Sequence, residues 1–185
     1  MLQDRFKWNE RYRSQSHPDE PAEIVKQYFE LAGGKNALDI AAGNGRNALF
    51  LARQGFVVDA VDISDAGLAQ FAGKHPGIHP ICADLDDFDI PANRYDLIVN
   101  IKYLNRRLFP RITEGLAKGG ALIFETFLSS PNPARDQSIC PDYLLQENEL
   151  LHAFLCLKIV YYKEAKHEKD AEAVCLASLV GIKIR

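Results

Sequence analysis

No two cysteines in this 185-residue sequence stand close together. Cys82, Cys140, Cys156 and Cys175 form no Cys-x-x-Cys pair, so the common zinc and dithiol signatures are excluded. Cys82, Cys156 and Cys175 fall in apolar, strand-like segments and are expected to be buried, inert thiols. Cys140 lies in a proline-rich loop. Scattered thiols fit a reducing cytoplasm, where the chain is expected to reside. No apolar run approaches the roughly 18–20 residues of a membrane span, so no membrane partner is expected. The first residues, MLQDRFKWNERYR, carry charge but no apolar stretch, and a secretory signal is not expected. An excess of positive charge is missing too. The 22 Lys and Arg against 25 Asp and Glu give a net charge of −3, without the basic footprint of a nucleic-acid binder. Repeats and low-complexity tracts are absent.

What is present is an ordinary globular composition, 47% hydrophobic and 25% charged, of a length that suits one domain. Residues 1–16 are polar with interspersed aromatics (Phe6, Trp8, Tyr12), and Pro18 and Pro21 break the chain. A first clear helix is expected from Pro21, with Ile24, Val25, Tyr28, Phe29 and Leu31 on its apolar face. Strand-like runs follow at Ala37–Ala41, Phe56–Asp62, Ile78–Ala83, Tyr95–Ile101 and Ala121–Phe127. Between them lie helical stretches: one after the first strand up to Gly55, one over Asp65–Lys74 capped by Ser64, and one over Leu108–Leu116, which Lys118-Gly119-Gly120 is expected to stop. Alternating apolar strands and helices predict a parallel sheet covered on both faces. After an irregular loop, Ser129–Pro141, come a short helix near Glu147–Phe154 and two strand-like runs, Cys156–Lys163 and Ala173–Lys183. The charged turn His167–Asp170 joins these runs as an antiparallel hairpin. The fold class is therefore α/β: a Rossmann-like, doubly wound, seven-stranded and mostly parallel sheet with a C-terminal antiparallel hairpin.

Chemistry concentrates where strands end, because ligands of doubly wound sheets bind beyond the carboxyl ends at the switch in strand order. The stretch Ala37–Ala52, ALDIAAGNGRNALFLA, reads as strand, glycine turn and amphipathic helix. Gly43 and Gly45 can take positive φ and let backbone approach a ligand. Asp62 ends the second strand about 20 residues beyond the turn, a spacing that suits a carboxylate on a ribose diol. Asp84 ends the third strand and could accept an adenine amino group. Asn100 ends the fourth, and Glu125 lies near the end of the fifth. Gly43-x-Gly45-x-x-Ala48 also fits a dinucleotide fingerprint. A hairpin stands in place of a second nucleotide-binding half, however, and the one Tyr-x-x-x-Lys spacing, Tyr162/Lys166, lies on a strand where its ends stay about 13 Å apart. A nicotinamide-dependent oxidoreductase is the third-ranked reading.

Asp39, Ala41, Gly43 and Gly45, then Asp62-Ile63, Ala83-Asp84-Leu85, Tyr95-Asp96-Leu97-Ile98-Val99 and Leu116-Ala117-Lys118-Gly119-Gly120 follow one another in a specific order. Together they resemble the class I S-adenosylmethionine-dependent methyltransferases over almost the whole chain, with Ala41 where that family has its first glycine. Gly43-Asn44-Gly45-Arg46-Asn47 and Trp8-Asn9-Glu10-Arg11-Tyr12 are similar to small bacterial methyltransferases of the tellurite-resistance and thiol-methylating group. The resemblance implies a single methyltransferase domain, 1–185, with residues 1–20 as an N-terminal arm or lid, and S-adenosylmethionine as cofactor. It implies that Ala41, Gly43 and Gly45 lie along the methionine part, and that Asp39 orients the turn or accepts from the amino group. Asp62 would hold the ribose, with Ile63 packing on adenine. Asp84 would take the adenine amino group, with Leu85 nearby. Asn100 would accept from the cofactor's ammonium and Arg11 would pair with its carboxylate, while Trp8 and Tyr12, four apart and so on one helix face, would form a lid that excludes water.

Tyr103, Asn105 and Arg106 are the candidate acceptor-site residues, and Lys102, Arg106 and Arg107 suggest a small acceptor that is anionic or soft, such as a thiol or a chalcogen oxyanion. Asn100-x-x-Tyr103 resembles the Asn/Asp-Pro-Pro-Tyr/Phe motif of nitrogen methylation, but Ile101 and Lys102 replace both prolines. Asn100 and Glu125 do not make the acidic set of a metal-dependent methyltransferase, so no metal is expected. A cofactor-binding module without catalysis is the second reading. The expected partners are a small-molecule acceptor and no nucleic acid, in a monomer or homodimer.

Overall fold

The structure, a computed structural model, describes residues 2–129, 140–166 and 175–184. The five apolar runs become strands β1 (Asn36–Ile40), β2 (Val57–Asp62), β3 (Ile78–Cys82), β4 (Tyr95–Ile101) and β5 (Leu116–Phe127). Helices α1 (Leu2–Ser14) and α2 (Glu23–Tyr28) precede them. Between and after them lie α3 (Arg46–Arg53), α4 (Asp65–Leu68), α5 (Leu108–Gly115) and α6 (Glu149–Ala153). The chain ends in β6 (Lys158–Lys166) and β7 (Cys175–Ile182).

The sheet has seven strands in the order β3-β2-β1-β4-β5-β7-β6. Neighbours among β1 to β5 run parallel, and β7 runs antiparallel to both β5 and β6. This is the expected α/β architecture with its antiparallel close. The turn His167–Asp170 and all but the ends of the Ser129–Pro141 loop lie outside the described residues.

The two-residue period of a strand divides the core. Leu97 and Val99 pack on one face with Ala48, Leu51, Val25 and Phe71. Ile98, between them, packs on the other face with Leu108, Ile112, Leu122 and Phe154. Each fully buried leucine or isoleucine contributes about 1.5–3 kcal/mol, so the sheet is held from both sides. Its edges are guarded. β3 carries Pro80, which cannot donate to a further strand, and β6 carries Lys158 and Lys163. Mid-strand in β2, the buried Asp59 is held by Arg94 Nη2 at 2.9 Å, the Tyr95 hydroxyl at 2.9 Å and His79 Nδ1 at 3.1 Å. That cluster ties β2, β3 and β4 together at the end away from the glycine turn.

Several boundaries differ from expectation for local reasons. The polar N-terminal stretch is a helix, α1, whose stabilisation comes from tertiary contacts described below. The helix expected from Pro21 starts at Glu23 and tightens into a 3₁₀ turn at Phe29–Leu31. α4 is shorter than Asp65–Lys74, and the chain reaches Gly73 with φ of +75°. Lys118-Gly119-Gly120 lies inside β5 rather than ending a helix, with Gly119 at φ +81° beside a register shift between Tyr95 and Leu97. Cys82 and Cys156 are exposed, contrary to expectation, as is Cys140; Cys175 is buried. Cys82 sits on the edge strand and Cys156 precedes β6, so neither is covered by a second layer. Among the described residues no helix is long and apolar enough to cross a membrane.

Candidate functional site

The sheet order reverses between β1 and β4, and the crevice beyond their carboxyl ends is where doubly wound sheets bind ligands. The chain leaves β1 there through a turn of alternating left-handed residues: Ala41 at φ +55°, Gly43 at +59° and Gly45 at +77°. Asp62 clamps this turn to the end of β2. One of its carboxylate oxygens accepts from the Gly43 N–H at 2.8 Å, the other from the Ser64 N–H at 2.8 Å. Burial raises the Asp62 pKa, and the Ser64 and Gly43 N–H groups oppose the shift. Packing within the protein itself calls for glycine at both positions. A Cβ on Gly45 would collide with the ring of Phe71, a core residue, and one on Gly43 would collide with the Tyr12 hydroxyl.

Asp39 lies beneath the turn, 1% exposed. It accepts a backbone hydrogen bond from Ala48 at the start of α3, and its Oδ2 is buried without a hydrogen-bond partner among the described residues. Burial pushes its pKa up to about 7, while the Arg46 guanidinium pulls the other way. A buried carboxylate oxygen with no donor, next to a left-handed backbone cradle, fits a ligand carrying an ammonium or hydroxyl group. Arg46 itself opens α3 and donates to the Glu20 carbonyl at 3.0 Å.

α1 covers the turn. Asn9 Oδ1 accepts from Ser64 Oγ at 2.7 Å and from the Ala66 N–H at 3.2 Å, and its Nδ2 donates to Asp65 at 2.6 Å. Arg5 reaches the same Asp65 oxygen at 3.2 Å, and Gln70 donates to the Tyr12 carbonyl at 2.9 Å. These bonds seat the Tyr12 ring between Gly43 and Gly67, with its hydroxyl at the glycine turn. Burial, then the field of Asp62, raises the pKa of that phenol well above its ordinary value. Trp8 lies 6.1 Å from Tyr12 by ring centroids, and the Arg11 guanidinium stacks over Trp8 at 5.0 Å. Asn9 is the residue whose part the sequence did not single out. The signal was available, since Arg5, Asn9 and Tyr12 follow the helical i, i+4, i+7 spacing of one face.

On the far side of the crevice, Asn100 is 1% exposed and donates through Nδ2 to the Tyr103 carbonyl at 2.7 Å. This leaves its side-chain oxygen for another donor. Tyr103 is half-buried, and burial pushes its phenol up to about 12. Ile63 is half-buried, Asp84 accepts from the Asp86 N–H at 3.0 Å, and Leu85 belongs to the core beneath. The remaining acceptor candidates are taken up internally. Asn105 donates to Asp86 at 2.8 Å and accepts from the Arg107 N–H at 3.1 Å. Arg106 grips Glu149 with two bonds of 2.5 and 2.9 Å and donates to the carbonyls of Asp142 and Leu144, both at 2.9 Å. The structure thus brings together Asp39, Ala41, Gly43, Gly45, Asp62, Tyr12 and Asn100, and turns Arg11, Asn105 and Arg106 to other partners.

Residues 37–120 match the family model described as a methyltransferase domain. No curated protein sequence matches the chain. Among solved structures, TehB from Haemophilus influenzae is similar with a TM-score of 0.70 and 21% identity, over 97% of this chain and 66% of that one. The chain therefore spans about two thirds of the length of that relative. An S-adenosylmethionine-dependent methyltransferase from Mesorhizobium loti matches with a TM-score of 0.71 and 17% identity, over 90% of this chain and 100% of that one. The [4+2]-cyclase SpnF matches at 0.70 and 17%, over 86% and 78%. Residues 37–120 thus resemble a methyltransferase domain, in a chain that shares the fold of these solved structures.

Proposed function

We propose that the chain binds S-adenosylmethionine beyond the carboxyl ends of β1, β2 and β4 and transfers its methyl group to a small acceptor with a soft or anionic nucleophilic atom, such as a thiol or a chalcogen oxyanion. The observation that carries the reading is the buried, unpartnered Asp39 oxygen beside the Ala41–Gly45 turn at the strand-order switch. When bound, the cofactor supplies an electrophilic methyl carbon on a sulfonium with a neutral leaving group. The residues do the rest by placement. Asp39 and the Asn100 oxygen offer acceptors to an ammonium, Asp62 holds the turn in register, and α1 with Tyr12 screens the turn from water. Proximity and orientation of this kind can supply about 7–11 kcal/mol, so an acceptor that ionises easily needs no general base.

Calorimetric titration with S-adenosylmethionine, S-adenosylhomocysteine, NADH and NADPH tests the reading. The two sulfur compounds should bind and the nicotinamides should not. A folded sample that binds neither sulfur compound defeats it. A second reading, cofactor binding without catalysis, draws support from Asn105 and Arg106, which are spent on internal contacts. Formation of S-adenosylhomocysteine by the purified chain across thiol and oxyanion acceptors separates the two.

A further inference from the structure

Residues 15–22 link α1 to α2 without helix or strand, and Pro18 and Pro21 stiffen them by fixing φ. Every second residue of this strap is held by a side chain of the glycine turn or of the start of α3. Asn44 Nδ2 donates to the Pro18 carbonyl at 3.0 Å, Arg46 Nη1 donates to the Glu20 carbonyl at 3.0 Å, and Asn47 Oδ1 accepts from the Ala22 N–H at 2.9 Å. The two-residue spacing is that of extended backbone. Beyond the strap, Ile24 and Val25 anchor α2 in the core. Before it, the His17 ring packs on Tyr12 with centroids 4.4 Å apart. The connection closes on itself: turn, strap, His17, Tyr12 and, through the Tyr12 hydroxyl, Gly43 again.

α1 is the weakly held part of this loop. From Gln3 to Ser14 none of its residues is buried, and only Asn9 and Tyr12 are half-buried. A helix of 13 residues is marginal on its own in water, so α1 keeps its form by staying docked. What it covers is buried, namely Gly43, Gly45 and Gly67. While Pro18 is held, the chain from Ser14 spans about 14 Å at full extension, too little for α1 to swing clear. The strap must let go with it.

We propose that α1 and the 15–22 strap form one latch over the glycine turn, which opens for S-adenosylmethionine to enter or leave, with Asn9 and Asn44 as the positioning residues that hold it shut. The inference rests on the cofactor reading above and adds a rate to it: exchange is set by local opening of residues 2–22, not by encounter. Among the described residues, the latch bonds run to α4, to the strap and to Asn44, Arg46 and Asn47, and none uses Asp39 or Asn100. The latch therefore shuts over the empty and the occupied turn alike. Weakening it speeds entry and release together and leaves affinity nearly unchanged, whereas losing a residue that only shapes the turn speeds release alone.

Amide hydrogen exchange without ligand compares wild type with Asn44→Ala. The Asn44 side chain bonds the strap rather than α1, so faster exchange across residues 3–14 reaches α1 through the strap. A rise of about 2- to 10-fold is expected, the worth of one neutral hydrogen bond, and unchanged exchange there overturns the latch. Surface plasmon resonance then follows S-adenosylmethionine on the chain captured by its C-terminus. Asn9 makes three latch bonds. In Asn9→Ala both the association and the dissociation rate should rise by about 10-fold or more, with Kd within about threefold of wild type. Asn44→Ala should move both rates in the same direction by a smaller factor. An unchanged association rate, or a Kd that weakens in step with dissociation, overturns the gate. If wild type binds no S-adenosylmethionine, the cofactor reading falls, and the exchange measurement still decides whether the latch exists.

Discussion

At Ala41 a methyl group sits where the backbone has turned left-handed, at φ +55°. That conformation costs a non-glycine residue about 1–2 kcal/mol, and glycine's greater unfolded freedom returns about 0.5–1 of it. Ala41→Gly is therefore expected to stabilise the protein by about 0.5–1 kcal/mol, measured as a higher urea midpoint at constant m-value. Gly45→Ala should do the reverse and cost more than about 2 kcal/mol, since its Cβ collides with Phe71. Asp39 sets a pH dependence. Its folded pKa is raised to about 7 by burial, so the folded state holds the proton more tightly than the unfolded chain. Its contribution to stability is then full below about pH 4, falls as pH rises through 7, and amounts to about 4 kcal/mol at most. Urea midpoints at pH 5 and 8 should differ in that direction for wild type, and Asp39→Asn should flatten the difference. Glycine spacing and the acids at strand ends were legible in the sequence because turn chemistry and strand period are local. That Gly45 makes room for a phenylalanine far along the chain is a packing fact no local pattern carries.

Among the elements, α1 and the segment ending in α6 depend most on side-chain bonds. The N-terminal stretch reads as a polar arm because its contacts are with α4 rather than with a continuous apolar core. Asn9 makes three of those contacts. Asn9→Ala should leave the global midpoint within about 1–2 kcal/mol while exposing the 2–14 segment to early proteolysis. Equal protection of α1 in the variant would contradict this account. Arg106 was a candidate acceptor residue from its position after the fourth strand, a position that does not reveal the Glu149 carboxylate waiting across the loop. With both partners partly exposed, Arg106→Ala should cost about 1–3 kcal/mol. The loss should appear as faster hydrogen exchange over residues 149–153 with S-adenosylmethionine affinity retained.

For the molecule as a whole, the topology was the most legible feature. Five apolar runs alternating with helices leave few arrangements, and a chain that ends in two strand-like runs closes its sheet antiparallel. The place of the crevice follows from that order alone, which is why Asp39, Asp62 and Asn100 could be named together. Burial at the sheet margins was less legible: Cys82 reads as a core residue until β3 is known to be an edge strand.

The chain has a single tryptophan, and it is Trp8, on α1, with the Arg11 guanidinium on its ring and Tyr12 beside it. All indole emission from this protein therefore originates on the helix that covers the glycine turn. Its wavelength and quenching report the seating of that helix alone, with no label attached and no background from the sheet. Movement of α1 during ligand entry can thus be timed in the native chain by stopped-flow fluorescence.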